Sequence, residues 1–407
     1  MEPWNNATSK ILAVGESMTV GLRFSVAADG VQGIEKAIID TGTPVAVGIP
    51  GFILPSDLTA NLYLFTKSKV LGITCHPLEA LLVKEVSSLV YNVTAKDTTW
   101  GRVRITIKYS DGRLQTVHYY VTKSGPEVLR DLGNFATTTS WFTDASDPFG
   151  RSPSPLSYDR IANDFVQQDA RAWIAGLSDE AGAGTYIAAT MKQAVQPSAL
   201  EIAKLELFID QVLFKMIQTP DYAVRKSIFF HDLAALPDFP YNPSIDWTTW
   251  TSWNKVNAYL TDRAYDYVHP VAAYWAMYRA GRAYPDLLSV HTWDWYLLQA
   301  YHTIVALMKP DKDGNCCEVG YALVGLMEET VIGEVLKDLE REGYTVEAGH
   351  IAQNMSVRAN YWETLSLPFG SEMAWDSTGQ EGVYYWAKYV HRAREFNIDF
   401  TQILRPH

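Results

Sequence analysis

The sequence predicts an α+β multidomain protein: an N-terminal antiparallel β-sandwich followed by an (α/α) helical-hairpin toroid that is incomplete. Three observations carry this expectation. The first third of the chain alternates apolar and polar residues and punctuates them with turn residues. After the segment 144–155 the apolar positions recur at helical spacing instead. The segments joining these helical stretches are long and rich in Trp and Tyr, which suits hairpins whose loops gather at one mouth better than a simple four-helix bundle. The expected boundaries are 1–143 for the sandwich, 144–157 for a linker and 158–407 for the toroid.

In the first part, Val103, Ile105, Ile107 and Tyr109 alternate with Arg104, Thr106 and Lys108. Ser110-Asp111-Gly112-Arg113 then supplies turn chemistry before a second alternating run over 115–121, so a hairpin is expected there. Strand-like stretches also occur at 18–26 and 87–94, whereas 49–55, with its Gly and Pro, reads as loop. Residues 144–155 collect Asp, Pro, Gly, Arg and Ser, as a linker does.

In the second part, Ser198 and Glu201 match a capping box, and Ile202, Leu205, Ile209, Val212 and Leu213 form the apolar stripe of the helix it would start. Tyr267, Val271, Tyr274, Trp275 and Tyr278 mark a second helix. A third runs through Val324, Met327, Val331, Val335, Leu336 and Leu339 and stops at Gly343. Further helical patterns cover 158–175, 294–307, 351–365 and 381–396. These amount to roughly half the helices of a full six-hairpin ring, and no short repeat points to a solenoid.

The 407 residues suffice for two cores. A net charge of -12 repels phosphate backbones and anionic lipid, so neither nucleic acid nor a membrane is an expected partner. No apolar run is long enough to span a bilayer. The first ten residues hold no basic stretch followed by an apolar core, so no secretory signal is read; the chain is either intracellular or lacks its natural start. Cys75, Cys316 and Cys317 give neither a disulfide framework nor a zinc spacing, and the vicinal pair is not expected to bridge to itself. Asp311, Asp313 and Asn315 approach a calcium-loop spacing, but the glycine sits too early and no glutamate closes the loop. No metal or cofactor is expected, and oligomeric state is not legible.

The informative composition is aromatic, with 13 Trp, 23 Tyr and 15 Phe. Flat apolar rings with a polar edge complement the C–H faces and hydroxyl rims of sugars, although large cores use the same residues. Four constellations combine such rings with carboxylates. The stretch 176–184 sets Asp179 and Glu180 among three glycines, either as cleft acids or as acids capping a helix. Trp247, Trp250 and Trp253, three residues apart among Thr and Ser, suit a stacking platform or a packed cluster. Asp294 between Trp293 and Trp295 suits a sugar subsite, where an apolar wall would raise its pKa, or simply a helix start. The stretch 368–381 holds Glu372, Trp375, Asp376, Gln380 and Glu381. Glu372 and Asp376 are candidates for the two carboxylates of glycosidic cleavage, whereas Gln380 and Glu381 also match capping boxes with Ser377 and Thr378. His269 and His302, with Tyr301, offer a base and an acid for elimination chemistry.

The phrases HPVAAYWAMYRAGR, HTWDWYLLQAYHT, VGYALVGLMEETVIGEVLKDLEREGY, PFGSEMAWDSTGQEGVYYWAKY and GLSDEAGAG resemble a fungal and bacterial family described only as a domain of unknown function, over roughly residue 81 to the C-terminus. Its members look like six-hairpin glycosidases with an N-terminal β-sandwich. The resemblance implies a secreted, carbohydrate-active protein, without a nameable substrate or settled catalytic residues. Family members run longer at both ends, so a truncated ring exposing apolar helix faces is expected here. The leading functional expectation is a glycoside hydrolase acting through paired carboxylates among Asp179, Glu180, Asp294, Glu372 and Asp376. Trp247, Trp250, Trp253, Trp293, Trp295, His302, Trp375, Gln380 and Glu381 would contact the glycan. The alternatives are a polysaccharide lyase using His and Tyr on a uronic acid, and a truncated, non-catalytic glycan-binding protein.

Overall fold

The computed structural model describes residues 9–96, 98–314, 316–373 and 377–395, the last four of these by backbone alone. They divide into two compact units, 1–128 and 129–407.

Among the described residues the first unit contains a short helix, α1 (Ile34–Asp40), and eight strands: β1 (Val45–Ile49), β2 (Ile53–Pro55), β3 (Thr59–Phe65), β4 (Val70–His76), β5 (Leu81–Ser87), β6 (Val90–Ala95), β7 (Gly101–Tyr109) and β8 (Leu114–Thr122). They form two four-stranded sheets, β1-β3-β6-β5 and β2-β8-β7-β4. The expected hairpin is β7–β8, antiparallel with Ile105 opposite Val117. Its alternation puts Val103, Ile105, Ile107 and Tyr109 inside, where they share one core with Leu62, Leu64, Tyr91 and Val93 of the other sheet. Two expectations are corrected. Residues 53–55 are not loop but strand β2, which pairs in parallel with β8 (Ile53 opposite Tyr120). Pro55 is tolerated because β2 lies at a sheet edge, where a missing N–H costs no ladder bond. Residues 18–26 form no strand; Val20, Leu22 and Phe24 stay exposed, since alternation alone makes no sheet without a partner edge.

Helix α2 (Gly125–Thr137) continues the chain, followed by short strands β9 (Trp141–Phe142), β10 (Ser154–Pro155), β11 (Tyr158–Asp159) and β12 (Asp164–Phe165). Then come α3 (Ala172–Ala175), α4 (Asp179–Gln193), α5 (Ala199–Phe208), α6 (Lys255–Ala258), α7 (Val268–Ala283), α8 (Trp293–Leu307), α9 (Glu329–Glu342), α10 (Thr345–Glu363) and α11 (Gly379–Glu395). A π-helical stretch, Ile209–Ile217, extends α5. Helix α7 packs on α4, α8 and α9, and 13 of its 16 residues are buried, so it is the central helix of this unit. The whole is a mixed α+β protein with antiparallel sheets and several helices. Among the described residues no helix is long and apolar enough to cross a membrane.

The segment 144–157 is packed rather than linker-like. Phe149, Arg151, Ser154 and Leu156 are all buried. Arg151 pairs with Asp147 at 2.7 Å and donates to the carbonyls of Gln167 and Ala175 at 2.7 and 3.1 Å. The helix expected over 158–175 is confined to its last four residues. Asp159 accepts from the N–H groups of Ile161 and Ala162, and Asn163 adopts a left-handed φ of 57°, so local side-chain bonding wins over the helix.

The capping box at Ser198 does not form. Glu201 is buried and accepts instead from Lys192 at 2.7 Å and Gln193 at 2.8 Å, while the Ser198 N–H donates to Gln193 Oε1 at 3.0 Å. A buried carboxylate needs a cation more than a surface cap. Helix α9 starts only at Glu329, after Glu328 in a left-handed turn, and ends as expected at Gly343 with φ of 89°. Contrary to expectation, Cys316 and Cys317 bridge to each other, across a cis peptide bond that brings their Cα atoms to 3.0 Å.

Candidate functional site

Within the second unit, a cavity of about 580 Å³ opens beside the start of α4. One wall is aromatic. Trp173, on α3, lies 5.2 Å from Trp253 and 6.1 Å from Trp250, centroid to centroid. Trp250 is 73% exposed. The loop carrying these rings is fastened by bonds between the hydroxyls of Thr249, Thr251 and Ser252, and Ser252 donates to the carbonyl of Ala170. Lys226 Nζ sits 4.7 Å over the Trp253 ring.

The opposite wall is charged, and Arg263 organises it. Its Nη1 donates to Asp179 Oδ2 at 2.7 Å and to Asp266 Oδ1 at 3.1 Å. Its other edge grips Glu372 through Nη2 at 2.8 Å and Nε at 3.2 Å, the two-pronged geometry that suits guanidinium and carboxylate. Three carboxylates therefore share one guanidinium, which raises the pKa of Arg263 further. The arginine is placed by backbone: the Ala264 N–H donates to the Gly320 carbonyl at 3.0 Å. The Glu372 loop is held by Tyr265, whose hydroxyl accepts from the Glu372 N–H at 3.0 Å and lies 2.7 Å from Ser371 Oγ.

Asp266 lies behind this wall, 1% exposed. Burial, reinforced by the nearby Asp179 charge, pushes its pKa up to about 7, against the lowering pull of Arg263, the Ser178 hydroxyl and His269. Its Oδ2, both ring nitrogens of His269 and Glu328 Oε2 have no hydrogen-bond partner among the described residues. His269 Nδ1 lies 3.5 Å from Glu328 Oε1.

The glycine-rich stretch is not a ligand-cradling loop. Asp179 and Glu180 open α4, and the glycines allow close approach of the chain to itself. A Cβ on Gly182 would collide with the Trp173 carbonyl, and one on Gly176 with Ser227 Oγ. Leu177 and Asp179 take left-handed φ values of 60° and 53° where the chain turns into α4. Strain of this kind, at a residue whose side chain faces a cavity, fits a functional position.

The structure separates the remaining candidates. Asp179, Glu372, Trp250 and Trp253 line the cavity together, whereas Glu180 is exposed away from it. Trp247 stacks on His231 at 4.6 Å and donates to the Asn242 carbonyl, as part of a packed aromatic cluster. Trp293 packs near Tyr278, and Trp295 stacks on His291 at 3.6 Å. Asp294 sits half-buried in the first turn of α8 and does not line this cavity. His302 lines a different cavity, of about 490 Å³, where it stacks on Tyr222 at 4.4 Å and burial lowers its pKa. Gln380 is exposed in the first turn of α11. Glu381 accepts from the N–H groups of Glu328 and Thr330 and from the Thr330 hydroxyl, so it caps α9 rather than its own helix. Trp375 and Asp376 lie outside the described residues.

Sequence reasoning missed Trp173, Lys226, Arg263, Tyr265, Asp266 and Tyr321. The available signal was Arg263-Ala264-Tyr265-Asp266, a pair of opposite charges immediately ahead of a largely apolar helix.

Comparison with known proteins adds two findings. A family model described as "Family of unknown function (DUF5695)" matches residues 1–405. The chain belongs to this family. A solved structure of a polysaccharide lyase is similar at a TM-score of 0.64 and 13% identity, over 92% of this chain and 49% of that one. That likeness is one of fold, and the chain spans about half the length of the lyase. No curated protein matches. Among the described residues, no group of three or more His, Cys, Asp or Glu side chains is arranged to hold a metal ion.

Proposed function

We propose that this DUF5695 chain is carbohydrate-active and cleaves glycosidic bonds in the tryptophan-walled cavity, with Asp179 and Glu372 as the working carboxylates. One observation carries the reading: two acids from segments far apart in sequence converge on one guanidinium, opposite exposed indole rings. Glycosidic hydrolysis uses such a pair, one carboxyl giving a proton to the leaving oxygen and the other directing water or attacking the anomeric carbon. Trp250, with Trp173 and Trp253, would hold sugar rings by their C–H faces. The shared fold with a polysaccharide lyase agrees with a carbohydrate substrate.

A second reading has its own support. Lys226 and Arg171 also line the cavity, as does Tyr321, held at a left-handed φ of 64°. Cations and a phenol suit elimination from a uronic acid, in which the sugar carboxylate is neutralised, a base takes the C5 proton and the leaving oxygen departs from C4. Incubating the chain with a panel of polysaccharides and weighing the products separates the two. Hydrated fragments lost in Asp179→Asn and Glu372→Gln support hydrolysis. Ultraviolet-absorbing products short by one water, retained in those variants and lost in Tyr321→Phe, support elimination. Secretion, implied by family resemblance, is part of the same proposal and is tested by expressing the full-length gene and assaying the medium.

A further inference from the structure

The carboxyl behind Arg263 is placed to control the two in front of it. Nη1 of Arg263 is divided between Asp179 Oδ2, at the cavity wall, and Asp266 Oδ1, behind it, at 2.7 and 3.1 Å. The opposite edge of the guanidinium is committed to Glu372. Asp266 Oδ1 also accepts from Ser178 Oγ at 2.9 Å, so the residue preceding Asp179 is tied to the same oxygen.

The groups facing Asp266 come from every neighbouring element: Ser178, Asp179 and Tyr186 from the start and body of α4, Arg263 from its own turn, and Tyr267 and His269 from the start of α7. Glu328, ahead of α9, stands beyond His269. Arg263 is the permanent cation among these neighbours, so a change of charge on Asp266 falls first on Arg263.

We propose that Asp266 is a positioning residue for the carboxylate pair: its charge state sets how far Arg263 is drawn back from Asp179, and so couples the cavity to pH. This rests on the reading of Asp179 and Glu372 as the cleaving pair. With Asp266 neutral, Nη1 belongs to Asp179 and one guanidinium balances two carboxylates. With Asp266 ionised, three carboxylates divide that guanidinium, and the excess negative charge beside the cleft favours keeping a proton there. Burial brings the changeover to about pH 7 rather than to the ordinary aspartate range.

The test follows the carboxyl carbons of an aspartate-labelled chain by NMR, with the Asp266 signal assigned by its loss in Asp266→Asn. The expected midpoint is near neutrality. The guanidinium nitrogens of Arg263 should shift over the same pH range, and Ser178→Ala should raise the midpoint by removing a bond that favours the charged form. On a cleaved glycan, Asp266→Asn should move the alkaline limb of the rate profile to lower pH by on the order of one unit, and Ser178→Ala should move it the same way by less, since it keeps Asp266 neutral to higher pH. Titration of Asp266 among the surface aspartates, guanidinium signals that ignore it, or an unshifted alkaline limb in a folded Asp266→Asn chain overturns the proposal. If no glycan is cleaved, the assignment of Asp179 and Glu372 falls, and the two NMR titrations decide Asp266 by themselves.

Discussion

Asp266→Asn also makes a prediction about folding that needs no substrate. In the native chain burial pushes the carboxyl up to about 7, against 3.8 for an ordinary aspartate, a rise of about three units. Each unit corresponds to about 1.4 kcal/mol, so the full effect is on the order of 4 kcal/mol. The sign follows from which state holds the proton. Below the unfolded value both states are protonated and the group favours neither. Between about 4 and 7 the unfolded chain releases its proton while the native chain keeps it, so native stability falls as pH rises, and above 7 the penalty is complete. An asparagine carries no such titration, and any change it makes to the contact with Arg263 is independent of pH. The stability of Asp266→Asn relative to wild type should therefore grow from pH 4 to pH 8 by up to about 4 kcal/mol. Urea unfolding followed by tryptophan fluorescence is the assay, because every tryptophan except Trp4 and Trp100 lies in the second unit. Two stability curves that run parallel from pH 4 to pH 8 would refute the buried, perturbed carboxyl.

Trp250→Ala should leave the melt within a degree of wild type, because the ring is mostly exposed. If it is a sugar platform, the variant should lose about 1–2 kcal/mol of glycan affinity by calorimetry, the contribution of one stacked ring face. Glu329→Gln should destabilise the second unit by about 3–5 kcal/mol in urea, since it strands Arg358 in a fully buried pair and weakens the bond from Trp386 Nε1. Gly182→Ala should also lower the urea midpoint, because its Cβ meets a backbone carbonyl that cannot move aside easily. Glu381→Gln should cost about 1 kcal/mol through the cap of α9 and leave glycan affinity unchanged, whereas a loss of affinity with full stability would return it to the substrate.

The legible parts of the fold were those where local pattern and tertiary demand agree. The β7–β8 hairpin was readable because its inward residues all meet one core, and the end of α9 because Gly343 supplies the left-handed turn that a helix terminus uses. Patterns failed where a non-local partner took precedence. Ser198 and Glu201 have the spacing of a capping box, yet Lys192 claims the glutamate. Residues 18–26 alternate like a strand, but no edge receives them. The start of α4 reads as loop because Gly182 and Gly184 are poor helix formers, and what Gly182 provides is room for the Trp173 carbonyl.

The candidate site divides along the same line. Acids beside glycines and tryptophans can be picked from sequence, and Asp179, Glu372, Trp250 and Trp253 were, but the same signal also picked Asp294, which opens α8, and Glu381, which caps α9. A carboxylate at a helix start and a carboxylate in a cleft have the same local sequence; what separates them is the group each one faces. Arg263 is the element that distinguishes them here, because a guanidinium with two grasping edges can gather acids from α4, its own turn and the loop before α11 only after α7 has been packed. That dependence is also what makes the arrangement testable. An Arg263→Lys substitution keeps the charge but offers one ammonium in place of two edges, so it should hold Asp179 or Glu372 but not both. Glycan turnover should then fall far more than the melting temperature does, and a variant that kept full turnover would show that the convergence on Arg263 is architecture rather than chemistry.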